Sequence, residues 1–268
     1  MPKVGVAGCG RMGLPMAQAL RDAGFSVQGF DIRPLAVFGS FQDAMTLDSS
    51  KFAQDLTILF TVVRDQQQTD DLLFNEQNLI AKAEKLTHII ISSTLSPKYV
   101  RELRDRIPQH IRLIDAPMSG AAIAAKEKRL SFMLGGAAED IAHIQPYLNA
   151  MGKHFHVMGG FGAGMGAKVL NNLLAASSTV ATRLVLDWAD ELGLEEARLL
   201  DLMHTSSGQT WFGSNFNDIE FARDGFDAEN TIAILKKDVE AAMDGAPDNA
   251  DLNLPLTLIA MIEKLRPR

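Results

Sequence analysis

A single cysteine, Cys9, stands in 268 residues. No disulfide can therefore form within the chain, and no thiolate cluster can gather a metal. Basic charge is also in short supply: 26 Lys and Arg face 33 Asp and Glu, a net charge of −7. Nucleic acid and anionic membranes are held by basic patches, so neither is expected as the main partner. No uninterrupted apolar run approaches the ~20 residues of a bilayer span. The start, Met1-Pro2-Lys3, passes straight into an apolar strand pattern, without the charged, hydrophobic and cleavage regions of a secretory leader. A cytoplasmic protein is the expectation. Internal repeats and low-complexity segments are missing too. What is present, 47% hydrophobic and 22% charged residues, suits a globular chain of one or two domains.

The chain divides in two. Short apolar strands alternate with helical stretches as far as residue 158. Strand candidates are Lys3 to Ala7, Ser26 to Asp31, Thr57 to Val63, His88 to Ser92, Ile111 to Asp115, Leu130 to Leu134 and His154 to Met158. Runs this continuously apolar imply burial on both faces, as in a parallel sheet with helices on each side. Helical patterns such as Met12 to Asp22 and Lys98 to Arg106 fill the gaps, which gives an α/β doubly wound, Rossmann-type domain over residues 1–160. After Gly159-Gly160 the strand signal stops. Residues 161–268 read as an all-α domain that opens with one long helix, Ala163 to Glu191, roughly 40 Å at 1.5 Å per residue. A helix so apolar needs cover from other helices or from a second subunit.

Gly8-Cys9-Gly10-Arg11-Met12-Gly13 is a G-x-G-x-x-G between the first strand and an amphipathic helix, and Asp31 ends the next strand 18 positions after Gly13. In such a unit Gly8 makes the tight turn, Gly10 admits a pyrophosphate and Gly13 lets helix and strand pack closely. Arg11 and Met12 then lead into a helix N-terminus whose free N–H groups face the phosphates. A carboxylate at Asp31 accepts from the adenosine ribose hydroxyls and repels a 2′-phosphate, so NAD is expected, with NADP as the alternative because Arg33 can offset that charge.

A second pattern opens the long helix. Lys168 and Asn172 are i and i+4 and share one face, while Gly162, Gly164 and Gly166 allow backbone to approach a ligand at that end. An ammonium donates well to a carbonyl oxygen gaining negative charge, and burial can bring it to exchange a proton near neutral pH. His154 and His156 share a strand face but lack a third metal ligand nearby, and Lys126 to Arg129 reads as a solvated charged run.

The stretch from Val4 to Ala17, with Gly8-Cys9-Gly10-Arg11-Met12-Gly13-Leu14-Pro15 at its centre, resembles the N-terminal motif of the β-hydroxyacid dehydrogenase family. That family includes 3-hydroxyisobutyrate dehydrogenases, tartronate semialdehyde reductases and glyoxylate/succinic semialdehyde reductases. Ser93-Thr94-Leu95-Ser96-Pro97 matches its segment beside the nicotinamide, and Asp115-Ala116-Pro117-Met118-Ser119-Gly120 resembles its substrate-carboxylate loop. The stretch from Gly162 to Asn172 matches its catalytic helix start, Lys237-Asp238 falls where it places a lysine near the cofactor, and Ser206 to Trp211 resembles its serine–glycine segment. Ala121 stands where the family has a second glycine, and Lys128-Arg129-Leu130 where it has Gly-Thr-Leu.

The resemblance implies hydride transfer between NAD(P) and a small β-hydroxyacid or its semialdehyde. Lys168 is then the acid/base, Asn172 holds the reacting oxygen, and Ser119 and Gly120 hold the carboxylate. Val62, Val63, Thr94 and Lys237 line the cofactor, no metal takes part, and a homodimer or homotetramer is expected. Among rivals, the 6-phosphogluconate dehydrogenase group uses a glutamate seven positions beyond the lysine, where this chain has Ala175. Imine reductases replace the lysine that this chain keeps. A non-catalytic nucleotide sensor on the same fold has no need of it.

Overall fold

The structure, a computed structural model, describes residues 2–268, and the chain falls into two compact units, Met1–Lys168 and Val169–Arg268. The first opens with β1 (Lys3–Ala7), α1 (Gly13–Asp22), β2 (Ser26–Phe30), a 3-10 segment, β3 (Met45–Thr46), α2 (Ser49–Ala53) and β4 (Leu56–Thr61). Helices α3 (Gln66–Leu73) and α4 (Leu79–Lys82) lead to β5 (His88–Ile91), α5 (Pro97–Arg106), β6 (Arg112–Asp115) and β7 (Met118–Ser119). Then follow α6 (Ala121–Lys126), β8 (Leu130–Gly135), α7 (Ala138–Met151), β9 (Gly152–Gly159) and the start of α8 (Ala163–Glu191).

The sheet order begins β3-β2-β1-β4-β5-β6, all parallel. This is the doubly wound order whose direction of progression reverses beside β1, leaving a crevice at the carboxyl ends of β1 and β4. Strand alternation sends Val4, Val6, Ile58 and Phe60 into one apolar layer and Ala7, Leu59, Ile89 and Ile91 into the other. Each fully buried Val, Leu, Ile or Phe among these contributes ~1.5–3 kcal/mol. Burial on both sides explains why these strands read as unbroken apolar runs. Helix α1 buries Gly13, Met16, Ala17 and Leu20, the i, i+3, i+4, i+7 stripe that lays it on the sheet.

The sheet is not parallel throughout, as the strand runs suggested. Strand β8 pairs antiparallel with β6 and β7, and β9 then runs parallel to β8. The segment between β6 and β8 is spent on β7 and the short α6, so the chain returns beside β6 instead of crossing over it. Strand β9 lies at an edge, and its Val157 is 64% exposed, so its apolar residues do not mark burial.

In the second unit α8 continues, followed by α9 (Glu196–Thr205), α10 (Trp211–Ser214), α11 (Thr231–Asp244) and α12 (Asn253–Ile262). Ala176 and Val180 of α8 pack with Ile232, Leu235 and Val239 of α11 and with Leu258 and Ile262 of α12. Arg183 is buried at the centre of this unit. Its guanidinium donates to the carbonyls of Ala222 and Asp224, both at 2.8 Å, and to that of Arg266. Polar residues such as Asn171 and Asn172 break up the apolar run of α8, yet the helix is long and apolar enough to cross a membrane by length and composition. A helix threading a folded core passes the same test, and the carbonyl-bound Arg183 belongs to such a core. The chain alone does not enclose it: Leu170, Leu174 and Trp188 are 61%, 73% and 59% exposed.

Candidate active site

Three glycines shape the turn between β1 and α1, each for a different reason. Gly8 has φ +89°, and a Cβ there would lie 2.6 Å from the Val62 carbonyl oxygen. At Gly13 a Cβ would come within 2.1 Å of the Gly8 carbonyl oxygen. Around Gly10 a Cβ would meet nothing within 4 Å. Gly8 and Gly13 are thus fixed by protein packing, whereas Gly10 faces open space, as a residue must if a ligand's backbone-hugging group is to lie there. Val62 is drawn to this turn by its N–H, which donates to the Ala7 carbonyl at 2.7 Å, and Val63 follows beside Gly8. Helices α2, α3 and α5 begin with side-chain caps from Asp48, Asp65 and Ser96, but α1 has no side-chain cap and no acidic residue in its first turn. Arg11 and Met12 lead into that uncapped turn. These features fit the pyrophosphate of a dinucleotide.

Asp31 follows β2 and is buried. Arg33 engages both its oxygens: the main-chain N–H and Nε donate to Oδ1 at 3.0 Å, and Nη2 donates to Oδ2 at 2.9 Å. The same Nη2 reaches the Cys9 carbonyl in the glycine turn at 2.9 Å, and the guanidinium lies 5.3 Å from the Phe38 ring centre. Burial pushes the Asp31 carboxyl up, but the Arg33 hydrogen bonds and charge outweigh it and hold the group below the ordinary value. The carboxylate that would meet the ribose is therefore already paired with a cation.

Thr94 lies half-buried just beyond β5, and the next residue, Leu95, donates its N–H to the Met165 sulfur in the first turn of α8 at 3.3 Å. Ser119 ends β7. Gly120 follows with φ +130°, a conformation L side chains rarely adopt, and its Cβ would sit 2.5 Å from that of Ala124. Lys168 stands on α8 within the same unit and is only 7% exposed. An ammonium this buried is uncommon unless it is partnered or put to use.

In the second unit Asn172 donates Nδ2 to Asp238 Oδ2 at 2.5 Å, and Lys237 Nζ lies 3.0 Å from Asp238 Oδ1. Asp238 is 4% exposed, so this carboxylate fixes which way the Asn172 amide faces. Asp238 is the residue that reading the sequence for site residues missed. A signal existed: α11 buries Leu235, Asp238, Val239 and Ala242, so an acid occupies a core-facing position of an amphipathic helix. His154 and His156 are exposed, and no group of three or more His, Cys, Asp or Glu side chains gathers to hold a metal among the described residues. Lys126 to Arg129 is exposed, with Lys128 paired to Asp22 at 3.0 Å.

A doubly wound unit with an open glycine cradle, followed by a helical unit, is the plan of an NAD(P)-dependent oxidoreductase. Residues 3–160 match the family model for the NAD-binding domain of 6-phosphogluconate dehydrogenase, and residues 162–266 that for the NAD-binding domain of NADP-dependent 3-hydroxyisobutyrate dehydrogenase. The chain is 32% identical over 220 residues to the 3-hydroxyisobutyrate dehydrogenase of Pseudomonas aeruginosa, covering 81% of this chain and 74% of the relative. It is 29% identical over 253 residues to the human mitochondrial 3-hydroxyisobutyrate dehydrogenase, covering 91% and 75%. The solved Mycobacterium tuberculosis 3-hydroxyisobutyrate dehydrogenase with L-serine superposes with a TM-score of 0.82 at 25% identity, covering 99% of this chain and 96% of that one. The chain belongs to the β-hydroxyacid dehydrogenase family, NAD(P)-dependent enzymes that move a hydride between the nicotinamide and the reacting carbon of small hydroxyacids and their oxidised forms.

Proposed function

We propose that this enzyme oxidises a small β-hydroxyacid, or reduces its semialdehyde, with Lys168 as the acid/base. The observation that carries this reading is the buried Lys168 in the glycine-rich start of α8, one helical turn before Asn172 on the same face. In oxidation neutral Lys168 takes the hydroxyl proton as the hydride leaves the carbon and the C–O bond becomes a carbonyl. In reduction the ammonium returns that proton to the oxygen. Asn172, its amide held by Asp238, orients the same oxygen without adding charge. Ser119 and the Gly120 N–H bind the substrate carboxylate, so that both ends of a short acid are fixed and the reacting carbon is oriented. When bound, the nicotinamide supplies or accepts the hydride.

Gly8, Gly10, Arg11, Met12 and Gly13 cradle the pyrophosphate, Asp31 binds the ribose, and Val62, Val63 and Thr94 line the rest of the cofactor site. Lys237 is assigned to the cofactor on the family resemblance alone. The functional boundary is assigned to 160/161, a reading supported by one family model ending at residue 160 and the other beginning at 162. The enzyme works in the cytoplasm as a homodimer or homotetramer, an assembly supported by the exposed Leu170, Leu174 and Trp188 of α8. Light scattering at micromolar concentration checks the assembly, and a monomer refutes it. The activity is tested by following NAD reduction with about ten hydroxyacids, among them 3-hydroxyisobutyrate, serine, glycerate and threonate. Turnover of at least one supports the reading, and turnover of none with either cofactor refutes it.

A further inference from the structure

Asp115 is a fully buried carboxylate that the proposed chemistry does not use. It ends β6, immediately before the loop that carries Ser119 and Gly120. Its Oδ1 accepts the Gly162 N–H at 2.7 Å and its Oδ2 the Met165 N–H at 2.5 Å, both at the start of α8. These are donors that a helix leaves unsatisfied at its N-terminus, and here a side chain 47 and 50 residues away in sequence satisfies them. The surroundings are cut to admit it. A Cβ on Gly135 would lie 2.2 Å from Asp115 Oδ1, and one on Gly164 would lie 2.4 Å from the Met133 carbonyl oxygen. Lys168 follows one turn after Met165 on the same rigid helix, within the same unit.

We propose that Asp115 is a positioning residue for hydride transfer. Its carboxylate ties the first turn of α8 to the strand that leads into the substrate-carboxylate loop, and so sets Lys168 against the substrate oxygen. The inference rests on the assignment of Lys168 and Ser119 above. It needs the carboxylate ionised, since both oxygens accept and neither donates. Burial pushes the Asp115 carboxyl up to about 6, against the lowering effect of the Gly162, Met165 and Gly164 N–H groups. The titratable or charged groups on the elements packed around it include His88 at the far end of β5 and Arg112 at the far end of β6, each 3.9 Å from Asp140 of α7, His143 of α7 stacked on His88, Arg101 against Gly162, and Lys168.

The sign of the linkage bears on the role. A carboxyl raised in the folded state stabilises the fold fully below its unfolded value, and that stability is lost as pH rises through about 6. At neutral pH the fold therefore keeps an ionised carboxylate that favours unfolding. A role in orienting the helix accounts for keeping it.

The test is run in the direction of reduction, where low pH favours the ammonium form of Lys168 and cannot itself slow the step. Wild-type kcat should fall below pH about 6 as Asp115 takes up its proton. Asp115→Asn, folded by circular dichroism, should lower kcat at pH 7.5 by about ten- to a hundred-fold, the loss typical of a misplaced reacting group. Its acid limb should vanish, while its Kd for the cofactor stays within about twofold of wild type, as expected of a group outside the glycine cradle. A variant with wild-type kcat, or one that keeps the acid limb, overturns the proposal. If Asp115→Asn does not fold, the wild-type profile decides: a limb near 6 supports the proposal, and full activity down to pH 5 overturns it. Lys168→Ala is measured in parallel. Its retention of activity would sink the lysine assignment, whereas loss in Lys168→Ala without loss in Asp115→Asn sinks only this inference.

Discussion

Removing the Arg33 guanidinium should shift the cofactor preference away from NADP and towards NAD. Arg33 occupies both oxygens of Asp31 and also holds the Cys9 carbonyl of the glycine turn. With the guanidinium gone, the carboxylate faces a 2′-phosphate of about −1.5 to −2 charge without compensation. A unit charge pair at about 4 Å is worth ~4 kcal/mol at the effective dielectric of a protein surface. The Arg33 side chain is 49% exposed, so solvent screening cuts that severalfold, to about 1–2 kcal/mol. In Arg33→Ala, kcat/KM for NADP should fall by about 5- to 30-fold relative to NAD. Kcat/KM for NAD should hold or rise, because Asp31 regains acceptor sites for the ribose hydroxyls. The assay is initial-rate kinetics with both cofactors at one fixed concentration of the best hydroxyacid. An NADP-to-NAD ratio unchanged within twofold would refute the electrostatic account of this pair.

Two glycine substitutions should separate ligand room from packing. Gly10→Ala leaves the fold undisturbed but weakens cofactor binding measured by fluorescence titration, because its Cβ meets no protein atom; Gly13→Ala lowers thermal stability as well, because its Cβ strikes the Gly8 carbonyl. Arg183→Met should destabilise by about 2–4 kcal/mol in urea unfolding, since it strips one buried and two part-buried carbonyls of a charged donor. An unfolding midpoint equal to wild type would remove Arg183 from the account of the helical unit.

The elements the sequence revealed most clearly are those buried on both faces. β1, β4 and β5 read as strands because neither side of them meets water, and α8 because glycines flank a long stretch free of proline. Pairing direction carries no such signal, so β8 was legible as a strand but its antiparallel direction was not, and an apolar edge strand like β9 mimics a buried one. The Asp31–Arg33 pair was legible because the two residues are i and i+2, close in sequence as in space. The contacts of Asp115 and Asp238 reach across 47 and 66 residues, and no local pattern announces a bond that the fold alone creates. Lys168 and Asn172 were legible as a pair through helical spacing, but the burial of Lys168 was not: in sequence it looks like any lysine in the first turns of a helix.

The central claim is that Lys168 handles the substrate proton, and single-turnover hydride transfer in Lys168→Ala tests it most directly. Cofactor Kd should stay near wild type, because the glycine cradle is built from β1, α1 and the Val62 turn. The hydride-transfer rate should fall by at least the roughly 10²–10⁴-fold typical of losing a positioned acid–base group. Lys168→Arg should not restore it, since a guanidinium keeps its proton at any working pH and cannot serve as the base. A Lys168→Ala enzyme that retains more than about a tenth of the wild-type rate, well above what loss of an acid–base group allows, would contradict the account.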